Sequence, residues 1–487
     1  MSKRILVFDL GVSCGKALLC CYENGALTLE EIHRFDNIPV SETGHLRWNI
    51  DELFTQMKIG MSIGVFNGGY DAVSIVAWGV DFGLLDRNGE LLENPVHYGD
   101  SRTDGIEDEL YSVISAAELF ERTGIQPRTT KTVFQLLAQL KREGSVLFRA
   151  ESLLMIPDLF AYLLTGEKRS ELTEAASTML IDRVTRSWDF RLIDKLGLPR
   201  RLFCPIVRAG ERIGFIKPEL ARDLRIEPVP VIAGASLDTA AAAAAVPCSE
   251  EDFIFICCGN RAVIGTELDK AVISERAGNA GFSNGIGYGG KTILHKDIMG
   301  LWLLREARRY YNENGSEYGF DDLENAAREC DSFVSLIDPD DPCFTESGDM
   351  PTKIADYCRR TNQPVPETEG EVARCILQSL ACELALTAAE VSEITGKQYD
   401  RLYITGGGAK NDLLCELTAN ISGKITVSGS AEPAALGGGI SALISLGEIK
   451  DIAQARGIVV SSGNTRSYEP TDGGSEPLER YKKLTGR

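Results

Sequence analysis

Apolar positions along the first eighty residues switch between two periods. Residues 4–10 are an apolar run, Gly11-Val12-Ser13-Cys14-Gly15 a turn, and residues 16–22 a second apolar run. Asn24-Gly25 then gives a hairpin signal ahead of a third strand over 26–35. From 49 to 66 the spacing becomes helical, with Leu53, Met57 and Met61 on one face. Residues 73–78 return to strand. A hairpin-rich start followed by strand–helix alternation predicts a mixed α/β fold.

The opening recurs. Residues 252–258 read as a strand, Gly259-Asn260-Arg261 as a turn and residues 262–266 as its partner, a weak internal repeat of the first hairpin. The stretch 228–234 and the alanine run from Ala240 to Ala245 close the first half, so two domains are expected, 1–246 and 247–487. Further on, residues 371–395 carry Val372, Ile376, Leu380, Leu384 and Val391 at near-helical spacing, with Gly396 as the stop. Residues 401–405 read as a strand entering Gly406-Gly407-Gly408, and 410–420 as the next helix. After Ser461 the chain is rich in Gly, Ser, Pro and charge, which reads as a loose surface tail ending in a short helix.

Composition narrows the function. The 487 residues are 44% hydrophobic and 25% charged, as in ordinary globular proteins. With 51 basic against 71 acidic residues the formal charge is −20, which repels nucleic acid and anionic membranes. No stretch of about 18 apolar residues stands out as a membrane span. The N-terminal apolar run is short for a signal segment and ends in Asp9. The thirteen cysteines include no C-x-x-C, which suits reduced thiols in a cytoplasmic protein; spacing alone does not decide whether Cys358 and Cys375 pair. The four histidines lack metal-ligand spacing.

Four segments hold candidate chemistry. In Asp9-Leu10-Gly11-Val12-Ser13-Cys14-Gly15-Lys16, glycines at a hairpin tip let backbone N–H groups approach an anion, and Asp9 is placed to hold Mg²⁺ through water. Gly15-Lys16 is no Walker A, because the spacing is one short and Ala17 replaces Ser or Thr. In Gly234-Ala235-Ser236-Leu237-Asp238-Thr239, Asp238 reads equally as a helix cap or as a carboxylate that accepts a hydroxyl proton. Thr405 to Asn411 places three glycines between strand and helix, where a nucleoside can lie on bare backbone or the chain can simply turn. Trp78-Gly79-Val80-Asp81-Phe82, with Asp100-Ser101-Arg102-Thr103, offers carboxylates, an Arg and a Trp face to a sugar, or else an ion-paired surface turn.

Taken in order, these segments resemble the FGGY carbohydrate kinases, most closely their rhamnulokinase branch. The resemblance runs nearly the whole length and includes Glu31 to Phe35, Arg122 to Gln126, Met155 to Asp158, Ile298 to Leu304, and Glu432 with Ala434 to Gly437. It implies two ribonuclease-H-like domains of the actin and hexokinase type closing on a cleft, with ATP and Mg²⁺ as cofactors. It further implies Asp238 as catalytic base and Asp9, Gly11, Val12, Ser13, Cys14, Gly15 and Lys16 at Mg²⁺ and phosphate. Gly259 and Asn260 belong to the second phosphate turn, and Gly407, Gly408 and Asn411 to adenosine. Gly79, Asp81, Leu237, Asp238 and Thr239 fall to the sugar. Partners are then a sugar and ATP, with no nucleic acid or membrane, in a monomer or homodimer.

The chain departs from the branch at three places. Leu237 stands where His is typical, Gly259-Asn260-Arg261 where Gly-Thr-Trp is usual, and Cys14 in place of Ser. The expectation is an active kinase for a primary hydroxyl of a small ketose, L-rhamnulose or a relative. A weakly active or regulatory homologue is the alternative reading, and a filament-forming actin-like ATPase a third that lacks the sugar-pocket matches.

Overall fold

The computed structural model describes residues 2–142, 144–330, 334–463, 465–471 and 475–487, and the chain divides into two compact units. The first comprises Met1–Ala245, Leu268–Leu294 and Ala434–Ser462; the second comprises Val246–Glu267, His295–Pro433 and Gly463–Arg487. The first unit therefore ends its opening stretch one residue before the expected boundary, but it also takes in two later segments.

In the first unit, β1 (Lys3–Leu10), β2 (Cys14–Glu23) and β3 (Ala26–Asp36) form an antiparallel meander. With β4 (Ala72–Ala77), β5 (Arg212–Phe215) and β6 (Pro230–Leu237) they make a sheet of order β5-β6-β4-β1-β2-β3. β4 runs parallel to β1 and β6 parallel to β4. Ile5, Leu6, Val7 and Phe8 are all buried, as a central strand covered on both faces requires. Helix α1 (Ile50–Phe66) starts where the Asn49 side chain accepts the Glu52 amide, and it buries Leu53, Met57 and Met61. Both elements match the expected strands and helix to within a residue or two.

β6 feeds a short helix that packs through the alanine run. Residues 240–244 are buried, and Gly437, on the helix Pro433–Ser445, lies against them. The following two glycines of that helix meet the sheet: β-carbons there would stand 3.0 Å from Val7 and 2.5 Å from the Cys20 sulfur.

The second unit repeats the plan. β7 (Ile254–Cys258) and β8 (Arg261–Leu268) are an antiparallel hairpin, β10 (Arg401–Thr405) runs parallel to β7, and β11 (Ile425–Ser428) parallel to β10; β9 is Thr292–Met299. The expected internal repeat is thus visible in strand direction: hairpin first, then a parallel strand against its first arm. The long helix Glu369–Thr395 has a capping box of Thr368 and Glu371 and ends at Gly396, whose φ is 68°. Contrary to the sequence expectation, this helix is long and apolar enough to cross a bilayer, yet 89% of its most apolar window is buried in the protein.

Two further expectations change. The helix placed at 410–420 is Asp412–Ser422, because Gly406–Lys410 forms a 3-10 turn and Asn411 is the cap. The described parts of the tail are held to the protein. Arg466–Tyr468 pairs antiparallel with β11, and the Tyr468 hydroxyl donates to Asp412 at 2.6 Å. In the final helix, Ser475–Thr485, Tyr481 is buried and donates to Glu383 at 2.9 Å, while Arg487 reaches the same carboxylate at 2.7 Å. None of the thirteen cysteines is in a disulfide, Cys358 and Cys375 included.

Candidate functional site

The first hairpin is fixed from outside its own turn. The Gly11 amide donates to the Cys14 carbonyl at 2.9 Å, and the buried Asn37 donates through its side chain to the Gly11 carbonyl at 2.9 Å. The Asn37 amide also donates to the Ser13 carbonyl at 3.2 Å. Gly15 has no room for a side chain, since a β-carbon would stand 2.3 Å from the Phe35 ring. The register sets Asp9 directly opposite Lys16, so an acid and a base flank the turn Gly11 to Ser13. Asn37 escaped the sequence reading because its role depends on the third strand returning beside the turn.

Asp238 occupies the first residue of the helix Asp238–Ala244, with Leu237 as the capping residue and no side-chain cap. The cap reading of Asp238 is therefore wrong. The carboxylate is exposed, and Oδ1 accepts the Thr239 amide at 2.5 Å and its hydroxyl at 3.1 Å.

Behind it lies a set of buried acids that the sequence reading missed. Glu174 is fully buried and, among the described residues, neither of its oxygens has a hydrogen-bond partner. Burial, reinforced by the nearby charges of Asp158, Asp238, Glu171 and Asp81, lifts its carboxyl well above the ordinary range. Burial likewise raises Asp158, and it raises Glu171 to about 7 against the pull of its Thr173 hydrogen bonds. Glu171 caps the short helix Leu172–Ala176 and Glu174 lies within it three residues on, and this Glu-x-x-Glu spacing was the available signal. Among the described residues no group of three or more such side chains is arranged to hold a metal ion.

The loop after β4 meets the Asp238 turn. A β-carbon on Gly79 would stand 2.9 Å from Leu237 Cδ1 and 3.1 Å from Ser177 Oγ, so the structure brings Gly79 and Leu237 together. Val80 has a φ of 75°, a strained value for a β-branched residue. It is held by Thr132, which donates to its carbonyl at 2.7 Å, and by Ser177, which accepts its amide at 3.2 Å.

Asp81 points inward. Its Oδ2 accepts from the Trp48 and Trp78 indoles at 2.6 and 3.0 Å, and its Oδ1 from Gln135 at 3.3 Å. Burial raises its pKa to about 6. Trp78 is buried and packs on Trp48 with centroids 4.4 Å apart, so its face is not offered to a sugar as the sequence suggested. Asp100 accepts the Leu46 amide at 2.9 Å and contacts His45 at 3.0 Å, and Arg102 reaches Gln139 at 3.1 Å. Asp100 is buried and both side chains are taken up in hydrogen bonds within the protein, so this is neither a sugar-facing pair nor the surface turn of the blander alternative.

In the second unit, the turn Gly259 to Arg261 is pinned by residues 300–302. The Gly259 carbonyl accepts the Leu301 amide at 2.7 Å and the Asn260 carbonyl accepts the Gly300 amide at 3.0 Å. Gly300 is obligatory there, because a β-carbon would lie 2.4 Å from the Gly259 oxygen. Arg261 is within 3.6 Å of Asp340, which partly neutralises the charge it brings.

Gly259 and Asn260 also line a cavity of about 410 Å³ with Gly407, Asn411, Phe320 and Arg305, a volume that suits a small organic ligand. Gly407 is exposed, and a β-carbon there would have its nearest neighbours 3.7 Å away, whereas one on Gly408 would stand 2.6 Å from the Cys258 side chain. Of the two glycines expected at a nucleoside, Gly407 lines the cavity and Gly408 serves packing. Asn411 caps the next helix by accepting the Leu414 amide at 2.7 Å.

Comparison with known proteins gives this geometry a family. Residues 4–245 match the N-terminal domain of the FGGY family of carbohydrate kinases and residues 254–446 its C-terminal domain. A rhamnulokinase of Oceanobacillus iheyensis is 36% identical over 470 residues, covering 96% of this chain and 98% of its own. One from Bacteroides thetaiotaomicron is 34% identical over 473 residues, covering 97% of each. The fold is similar to that of a xylulose kinase from Lactobacillus acidophilus, with a TM-score of 0.80 at 18% identity over 99% of this chain and 96% of that one. A Plasmodium falciparum glycerol kinase with ADP has a TM-score of 0.75 at 16% identity, covering 99% of this chain and 96% of its own.

Proposed function

The chain belongs to the FGGY family of carbohydrate kinases, which phosphorylate a sugar from ATP, and we propose that its acceptor is L-rhamnulose or a related ketose with Asp238 as base. The observation that carries this reading is the exposed Asp238 carboxylate beside the Gly79–Leu237 contact. A carboxylate so placed takes the proton of a primary hydroxyl as the hydroxyl oxygen attacks the γ-phosphorus of ATP and the bond from that phosphorus to the bridging oxygen breaks, ADP leaving. Phosphoryl transfer asks little more of a protein than this, together with positioning and charge neutralisation. Leu237 presents an apolar wall to the sugar, and Gly79, lacking a side chain, lets that wall approach the loop closely.

The nucleoside belongs in the cavity lined by Gly407, Asn411 and Phe320, with the Gly259–Asn260 turn toward its phosphates. Asp9, half-buried and opposite Lys16, fits a Mg²⁺ held through water, as expected for an ion bound by few carboxylates and by substrate phosphates. When bound, Mg²⁺ neutralises the phosphate oxygens. The turn from Val12 to Gly15 lies beside Asp9 and offers backbone to phosphate.

The test is ADP release from Mg-ATP with a panel of ketoses. Turnover that depends on L-rhamnulose or a close relative and vanishes in Asp238→Asn supports the reading; equal turnover in that variant sinks it. The pairing of Arg261 with Asp340 favours a second reading, a weakly active homologue. Tight binding of sugar and nucleotide with only trace turnover would decide for that one.

A further inference from the structure

β6 holds Asp238 through an interrupted ladder. Its pairing with β4 shifts register between Ala233 and Leu237, so Gly234, Ala235 and Ser236 have no regular partner on β4 before pairing resumes at Leu237 and Ala77. Side chains from the short helix Leu172–Ala176 and the residue before it take their place. Glu171, fully buried, accepts the Ser236 amide through Oε2 at 3.1 Å. The same oxygen accepts the Thr173 amide at 2.9 Å, the Thr173 hydroxyl at 2.5 Å and the Glu174 amide at 3.1 Å. The Thr173 hydroxyl, its proton directed to Glu171, accepts the Leu237 amide at 3.2 Å. Asp158 steadies Glu171 from behind by accepting its backbone amide at 3.0 Å.

Capping alone explains only part of this. A cap for Leu172–Ala176 needs the bonds to Thr173 and Glu174, which Glu171 makes. It does not need the bonds to Ser236 and Leu237, which lie more than sixty residues away in sequence. A few residues on, Ser177 accepts the Val80 amide at 3.2 Å, so one stretch of chain grips both the Asp238 turn and the Gly79–Val80 loop.

We propose that Glu171 and Thr173 are positioning residues for phosphoryl transfer, setting Asp238 against the Gly79–Val80 loop where the sheet ladder is interrupted. The inference rests on the reading of Asp238 as base. Displacing a reacting group by about 1 Å costs on the order of a hundredfold in rate without needing to alter binding of the other substrate.

The experiment compares Thr173→Val, Thr173→Ala, Thr173→Ser and Asp238→Asn in the full chain, measuring kcat, both KM values and the unfolding temperature. Thr173→Val keeps the shape and loses the hydroxyl; Thr173→Ala makes the same chemical change should the valine protein fail to fold. The expected result is a kcat lower by about 10- to 100-fold in both, an ATP KM within about twofold of wild type, and recovery in Thr173→Ser. A kcat within about twofold of wild type in the folded variants, while Asp238→Asn is inactive, overturns the positioning role alone. Failure of Thr173→Ser to recover kcat overturns it too, since bulk and not the hydroxyl would then matter. Full turnover in Asp238→Asn overturns the base assignment and the positioning role with it.

Discussion

A β-carbon placed on Gly437 would stand 1.9 Å from the carbonyl oxygen of Ala241. That contact explains why the helix following Asp238 is built of alanines: the two helices approach until backbone touches backbone. Gly437→Ala should destabilise the protein by about 3 kcal/mol through overpacking, lowering its unfolding temperature and kcat together. Gly457→Ala is the matched control. It lies exposed in the helix Ile452–Ser461 with nothing within 4 Å of a β-carbon, so it should gain about 0.5–1 kcal/mol from helix propensity. Thermal unfolding of the two variants checks the pair.

Glu174 makes stability depend on pH. Its folded pKa lies well above the ordinary 4.5, so the folded state binds the extra proton and stability falls as pH rises above that value. Glu174→Gln removes the titration while Asp158, Asp238, Glu171 and Asp81 remain in both proteins. The two should unfold at similar temperatures near pH 4. Toward pH 8 the variant should become the more stable, the gap growing by up to about 1.4 kcal/mol per pH unit. A gap that shrinks with rising pH would contradict the assignment.

Leu237→His places a hydrogen-bonding ring beside Gly79. One regained hydrogen bond is worth about 0.5–1.5 kcal/mol, so kcat/KM for L-rhamnulose relative to other ketoses should rise about two- to tenfold. The ketose panel measures it, and an unchanged ranking would remove Leu237 from the sugar's surroundings.

Gly407 and Gly408 should part company. Gly407→Val projects into the cavity from a site with room on the backbone side, so the ATP KM should rise about tenfold or more with little change in unfolding temperature. Gly408→Val instead drives a side chain into Cys258 and should destabilise the protein by about 1–3 kcal/mol. Nucleotide titration and thermal unfolding separate the two outcomes.

Much of the fold was legible because the hairpins and the long helix announce themselves locally, through Asn24-Gly25, the Met57–Met61 face and Gly396. The ordered motifs likewise led to Asp238, Gly79 and the glycine turn. What stayed hidden depended on partners distant in sequence. Asp81 looked like a sugar ligand until Trp48 and Gln135 were found on its oxygens. Composition made the tail read as loose, whereas Tyr481 and Arg487 meet Glu383 about a hundred residues earlier. Thr173 and Glu171 carry no local signature of their task, because it consists in bonds to residues 236 and 237.

The first unit includes Ala434–Ser462, and this has a consequence for synthesis. Gly437 packs on Ala241, and its neighbour Gly439 packs on Cys20. When a ribosome has made residues 1–245, the sheet and the alanine helix lack the layer that covers them. Domains usually complete themselves as they emerge, N-terminal part first. Here the earliest-made half must wait, with apolar surface uncovered, until nearly the entire second half has followed.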